Sequence, residues 1–211
     1  MKKINIDKIS KTYKKNIVLN NISVEFESGK IYGIKGVNGS GKTMLMRAIL
    51  GFIRPDSGNI SIDGKVLHKD MEFPESAGTL IENPGLINGY TGFDNLKYIA
   101  NIRKKTSDDE IKELIKQFGL DPKDKRKVKK YSLGMKQKLA IAEAFIDYPE
   151  LIVLDEPFNA LDEKTVDVVC DYLIKYKNAE RIIIVSSHDA SLLEKICDKL
   201  YYMSEGVLSE K

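Results

Sequence analysis

Residues 36–43 read GVNGSGKT, and the fold turns on how this stretch is read. It matches the pattern G-x-x-x-x-G-K-[ST]. The residues before it, IYGIK at 31–35, have the apolar character of a short strand. The residues after it place Leu45, Ile49 and Leu50 on one helical face and stop at Gly51. A strand, a glycine-rich turn and a helix in that order form a phosphate cradle. The loop amides, backed by a helix N-terminus, supply fixed positive potential. Gly36, Val37, Asn38, Gly39, Ser40 and Gly41 line that cradle. Lys42 is placed to reach β- and γ-phosphates, and Thr43 to offer its hydroxyl to Mg2+.

Working outward, residues 151–156 read LIVLDE. Four apolar residues suit a strand buried on both faces of a parallel sheet. They put Asp155 and Glu156 at its C-terminal end, where ligands of open α/β sheets bind. Asp155 is the expected Mg2+ holder, and Glu156 the expected general base for an attacking water. An apolar strand ending in Asp-Glu is common by itself; the phosphate loop upstream is what makes it a candidate site. Residues 182–185 (IIIV) form a second buried strand, and His188 follows it, 33 positions after Asp155.

Elsewhere the periodicity alternates between strand and helix. Residues 4–26 read as β, and Ile60 and Ile62 mark another strand before the turn pair Asp63 and Gly64. Ser107 and Glu110 form a capping box ahead of Ile111, Leu114, Ile115 and Phe118, and Gly119 closes that helix. A helix is expected over 132–147. Val166, Val169, Leu173 and Tyr176 mark another, and Leu192, Leu193, Ile196 and Leu200 a third. Residues 201–208 suggest a terminal hairpin turning near Glu205 and Gly206. Residues 123–130 carry six Lys or Arg, which reads as a solvated loop. The order implies an α/β protein with a parallel core sheet, an antiparallel β portion near the N-terminus and an inserted helical portion at 85–148.

Composition narrows the function classes. The 211 residues amount to one domain, and 34 basic against 31 acidic residues leave a net charge of +3. That near-balance argues against a nucleic-acid partner. Cys170 and Cys197 form no C-x-x-C pair, so reduced thiols are expected. No stretch approaches the ~20 apolar residues of a spanning helix, and the N-terminus alternates like a strand rather than a signal peptide.

Residues 131–144, YSLGMKQKLAIAEA, resemble the signature segment of ATP-binding-cassette (ABC) ATPases, most often written LSGGQ. Ser132 and Gly134 match, whereas Tyr131, Leu133 and Met135 depart from the commonest form. SLGMKQ resembles the variant in bacitracin-export-like and related antibiotic or peptide exporters. The resemblance implies that Ser132 and Gly134 contact the γ-phosphate of an ATP held by an opposite cassette. It implies that Tyr13 stacks on adenine. NALD at 159–162 resembles the loop that communicates across the dimer, and His188 the switch histidine at the γ-phosphate. Glu82, in TLIENPGL, stands where the family usually has a glutamine that touches Mg2+. A carboxylate there remains a Mg2+ ligand but adds negative charge.

The resemblance therefore implies one ABC-type ATPase domain over 1–211, with a core lobe at 1–84 and 149–211 and a helical subdomain at 85–148. Its expected cofactors are ATP and Mg2+. Its expected partners are a second cassette, as homodimer or heterodimer, and a separate transmembrane permease contacted near residues 83–100. Its expected place is the cytoplasmic face of the cell membrane, and its expected role is export of the antibiotic or peptide-resistance type. A soluble non-transport ABC ATPase, such as the iron–sulfur assembly type, is the alternative. Long-heptad DNA-maintenance proteins and paired-cassette translation factors fit poorly. A P-loop kinase fits poorly too, because it would lack Ser132, Gly134 and His188 in these roles.

Overall fold

The computed structural model describes residues 1–82 and 85–210. Two sheets carry the fold. The smaller is antiparallel, ordered β2-β1-β4-β5, from β1 (Lys3–Tyr13), β2 (Asn16–Glu27), β4 (Ser57–Ile62) and β5 (Lys65–Val66). The larger is ordered β10-β9-β3-β8-β7-β6. Its strands are β3 (Lys30–Lys35), β6 (Ala77–Leu80), β7 (Leu151–Leu154), β8 (Ile182–Ser187), β9 (Lys199–Ser204) and β10 (Val207–Glu210). All its neighbouring pairs are parallel except β9 with β10.

The large sheet separates two apolar cores, and the two-residue period of a strand feeds both. Leu151 and Val153 of β7 pack with α1 (Lys42–Ile49) and the antiparallel sheet. Ile152 and Leu154 face the other way, toward the remaining helices. Both faces of β7 and β8 are fully buried, so each aliphatic side chain there contributes about 1.5–3 kcal/mol of burial. That burial on both sides is why these segments read as unbroken apolar runs.

Between β6 and β7 the described elements are helical: α2 (Gly92–Arg103), α3 (Asp108–Gln117), a 3-10 turn at Val128–Lys130, and α4 (Leu133–Glu143). Helix α2 begins with its own capping box, Thr91 with Asp94, which the periodicity did not single out. The Ser107–Glu110 box forms as expected. Helices α5 (Glu163–Tyr176) and α6 (Ala190–Ile196) complete the chain.

Two expectations are corrected. The helix expected over 132–147 ends at Glu143, because the Ala144 amide is shared between Ala140 and Ile141 and the next amides bond three residues back, Phe145 to Ala142 and Ile146 to Glu143. The Asp147 amide then donates to the Thr106 hydroxyl at 2.9 Å. This helix end presses on edge strand β6, where a Cβ on Gly78 would lie 1.7 Å from the Ala144 carbonyl oxygen. Leu200 belongs to strand β9 rather than to the last helix, which stops at Ile196. Pairing with β3 outweighs the helical spacing that had linked Leu200 to Leu193 and Ile196.

Candidate nucleotide site

Strands β3, β8 and β7 are parallel neighbours, so their C-terminal ends lie side by side. The loop 36–43 leaves the first, His188 follows the second, and Asp155 and Glu156 follow the third. The sheet thus converts three distant segments into one site.

Within the loop, Gly39 and Gly41 take left-handed backbone angles, φ +80° and +111°, that favour glycine. The Lys42 Nζ donates to the loop's own carbonyls, to Gly36 at 2.6 Å and Val37 at 3.2 Å, and lies 3.3 Å from Glu156 Oε1. Among the described residues, the amides of Asn38, Gly39, Gly41, Lys42 and Thr43 find no protein acceptor. The Ser40 hydroxyl is buried and likewise has no partner. Buried donors are normally satisfied. A ring of free amides at the start of α1 suits an anion with several oxygens.

Asp155 is 6 % exposed. Its Oδ2 accepts from the Thr43 hydroxyl and its Oδ1 from the Ser186 hydroxyl, both at 2.5 Å. It has no cationic side-chain partner among the described residues. Buried charges are paired or bind metal, and hydroxyl plus carboxylate oxygens are hard donors, so this pair fits Mg2+. Glu156 sits at φ +48°, with Oε2 2.9 Å from His188 Nδ1. Its amide donates to the same Ser186 hydroxyl at 2.9 Å.

The other candidates stand apart from this cluster. Ser132 caps α4 and accepts from the Met135 amide at 3.2 Å, sharing no hydrogen bond with the phosphate loop. Gly134 faces the Ala160 carbonyl, 2.9 Å from where a Cβ would sit, so the NALD segment abuts the signature helix of its own chain. Tyr13 ends β1, opposite Asn16, and is largely exposed. Glu82 takes φ +58° and pairs with Arg47 Nη2 at 2.9 Å rather than with Thr43 or Asp155. Its neighbour Asn83, within the expected permease-contact segment, lies outside the described residues.

Two residues were missed by sequence reading. Ser186 serves the Asp155 carboxylate and the Glu156 amide, and its only sequence signal is a polar pair ending an otherwise aliphatic strand, IIIVSS. Gln137 sends its Nε2 to the Pro157 carbonyl at 3.0 Å, tying the signature helix to the segment after Glu156.

The family profile described as ABC transporter matches residues 19–159. The chain belongs to the ABC transporter family. This cassette is an ATP-binding subunit of that family and carries its ATPase domain. It is 47% identical over 210 residues to an uncharacterized ABC transporter ATP-binding protein, YybJ, of Bacillus subtilis (strain 168), covering 99% of this chain and 96% of that one. It is 37% identical to the bacitracin transport ATP-binding protein BcrA of Enterococcus faecalis, over 99% of this chain and 68% of that one. Similarity also extends to the lantibiotic transport ATP-binding protein SrtF of Streptococcus pyogenes, at 34% identity over 99% and 90%. The fold matches the ATP-binding cassette MJ0796, a dimer solved in a post-hydrolysis state with ADP and Pi, with a TM-score of 0.87 over 98% of both chains at 22% identity. No helix among the described residues of this cassette is long and apolar enough to cross a membrane.

Proposed function

We propose that this cassette drives an exporter of the antibiotic or peptide-resistance type, by hydrolysing ATP in a head-to-tail dimer beside a membrane subunit. The observation that carries the site assignment is the convergence of Lys42, Thr43, Asp155, Glu156 and His188 at the ends of three adjacent parallel strands. The free amides of Asn38, Gly39, Gly41, Lys42 and Thr43 bind the triphosphate. Lys42 exchanges its bonds to the Gly36 and Val37 carbonyls for phosphate oxygens. Thr43 and Asp155 would hold Mg2+, which would neutralise phosphate charge. Glu156 accepts a proton from the attacking water, whose oxygen bonds to the γ-phosphorus as the bond to the β-phosphate oxygen breaks. ADP and inorganic phosphate leave. His188, hydrogen-bonded to Glu156, orients that carboxylate and faces the γ-phosphate. Glu82, once released from Arg47, would be a further oxygen ligand for the metal, and Tyr13 stacks on the base.

Ser132 shares no hydrogen bond with the phosphate loop of its own chain, and Leu133 between it and Gly134 is 67% exposed. This supports their use on the ATP of a second cassette, with 85–148 acting as a helical lobe. The membrane subunit docks near residues 85–100, where Ile87, Tyr90 and Tyr98 are exposed and the two tyrosines meet edge to face at 6.2 Å. Such docking places the cassette on the cytoplasmic face of the membrane. The transport names of the BcrA and SrtF relatives, together with SLGMKQ, support the exporter class over iron–sulfur assembly. The test is Glu156→Gln, which should bind ATP without turnover and elute as a dimer in gel filtration. A monomer at saturating ATP would sink the dimer mechanism.

A further inference from the structure

The phosphate loop rests on the C-terminal hairpin. The Gly206 amide, at the turn between β9 and β10, donates to the Ser40 carbonyl at 3.0 Å. The Gly206 carbonyl accepts from the Asn20 amide of β2 at 2.8 Å. Gly206 has φ +78°, and a Cβ there would lie 3.0 Å from the Val18 carbonyl oxygen. Met203 completes the seat. Its carbonyl oxygen lies 2.5 Å from where a Cβ on Gly36 would be, and its Cε 2.6 Å from where one on Gly41 would be. One turn therefore clamps the loop to both sheets.

We propose that Gly206 and Met203 are positioning residues for the triphosphate: the hairpin sets the direction in which the loop presents its amides. The reason is the planar trans peptide, in which the C=O of one residue and the N–H of the next point opposite ways. By pulling the Ser40 carbonyl toward the hairpin, Gly206 turns the Gly41 N–H away from it. The Gly41 N–H is one of the amides without a protein acceptor. Without this bond the Ser40–Gly41 peptide is free to rotate, and glycine at φ +111° imposes no barrier of its own. The contact is made by main-chain atoms, so no sequence motif records it.

This inference rests on reading 36–43 as the phosphate cradle, and the experiment separates the two. Four variants of the full chain are compared for ATP and ADP affinity by calorimetry and for melting temperature. Gly206→Ala removes the seat's geometry. Gly64→Ala is the matched control: it has φ +85° in the β4–β5 turn and nothing within 4 Å of its new Cβ. Gly206→Ala is expected to weaken both nucleotides roughly fivefold to tenfold, the size of one lost hydrogen bond. Gly64→Ala is expected to lower the melting temperature similarly while leaving affinity unchanged. Met203→Ala keeps the Gly206 turn and is expected to weaken nucleotide binding, so it serves where Gly206→Ala does not fold. Lys42→Ala is expected to abolish binding. If Lys42→Ala binds normally, the cradle reading fails and this inference with it. If Lys42→Ala fails to bind but Gly206→Ala and Met203→Ala bind like wild type, the hairpin claim alone is overturned.

Discussion

Replacing Ser186 by alanine tests how the Asp155 carboxylate and the Glu156 main chain are held together. Its side chain is fully buried, donates to Asp155 Oδ1 at 2.5 Å and accepts from the Glu156 amide at 2.9 Å. The bond to a charged carboxylate contributes about 1.5–3 kcal/mol, and an amide left without its acceptor costs about 1–3 kcal/mol. Thr43 still serves Asp155, so the lower part of that sum applies, about 3 kcal/mol. In a chain of this size each 1 kcal/mol shifts the melting temperature by about 2–4 °C, so a fall of roughly 6–12 °C is expected. Scanning calorimetry of the nucleotide-free protein measures it. Ser187→Ala is the neighbouring control, because among the described residues the Ser187 hydroxyl accepts only from the Asp189 amide, at 3.0 Å, and should lose far less. Ser186→Ala should also weaken the Mg2+ dependence of ATP binding, since Asp155 loses one of its two fixed hydroxyl donors. A melting temperature within 2 °C of the Ser187→Ala control, a margin of under roughly 1 kcal/mol, would refute the claim that this hydroxyl ties the Asp155 carboxylate to the Glu156 main chain.

Other consequences follow from groups outside the site. Glu110 accepts from the Tyr148 hydroxyl and from Ser107, which hold its carboxyl down from 4.5 to about 2. Its folded value lies below its unfolded one, so its contribution is complete above about 4.5 and is lost as the pH falls toward 2. Glu110→Gln should flatten the acid limb of a stability-versus-pH curve in that window; an unchanged limb counts against the assignment. Burial pushes the Cys197 thiol up to about 12 and raises Cys170 as well. Because the thiolate is the nucleophile, neither should react with an aromatic disulfide reagent at pH 8 until denaturant is added. Rapid labelling of the native protein would contradict that burial.

How much was legible in advance depended on whether a feature was local. GVNGSGKT carries its own conformation: glycine spacing, a preceding strand and a following helix define the loop wherever the chain goes next. The capping box at Ser107 and the two aliphatic strands were readable for the same reason, since a box spans one helical turn and an unbroken apolar run implies burial on both faces. Helix ends were less legible. The stop of α4 at Glu143 comes from a Thr106 hydroxyl and the approach of Gly78, neither of which is adjacent in sequence. The pairing of Glu82 with Arg47, one helical turn beyond Thr43, was not legible, because the two charges are neighbours only after α1 and the end of β6 come together.

The sequence by itself determined the candidate chemistry: a phosphate loop, a lysine and a hydroxyl opening the helix that follows it, and two carboxylates and a histidine after aliphatic strands. Only the tertiary structure decided their assembly. The order β3-β8-β7 brings segments separated by more than a hundred residues into hydrogen-bond contact, as between Thr43 and Asp155. It also decided which unremarkable residues support them. Ser186 joins the Asp155 carboxylate to the Glu156 amide through one hydroxyl, and Gly206 holds the loop through its main chain. Strand pairing is a long-range packing result, and a main-chain contact leaves no side-chain signature, so neither is written in local spacing.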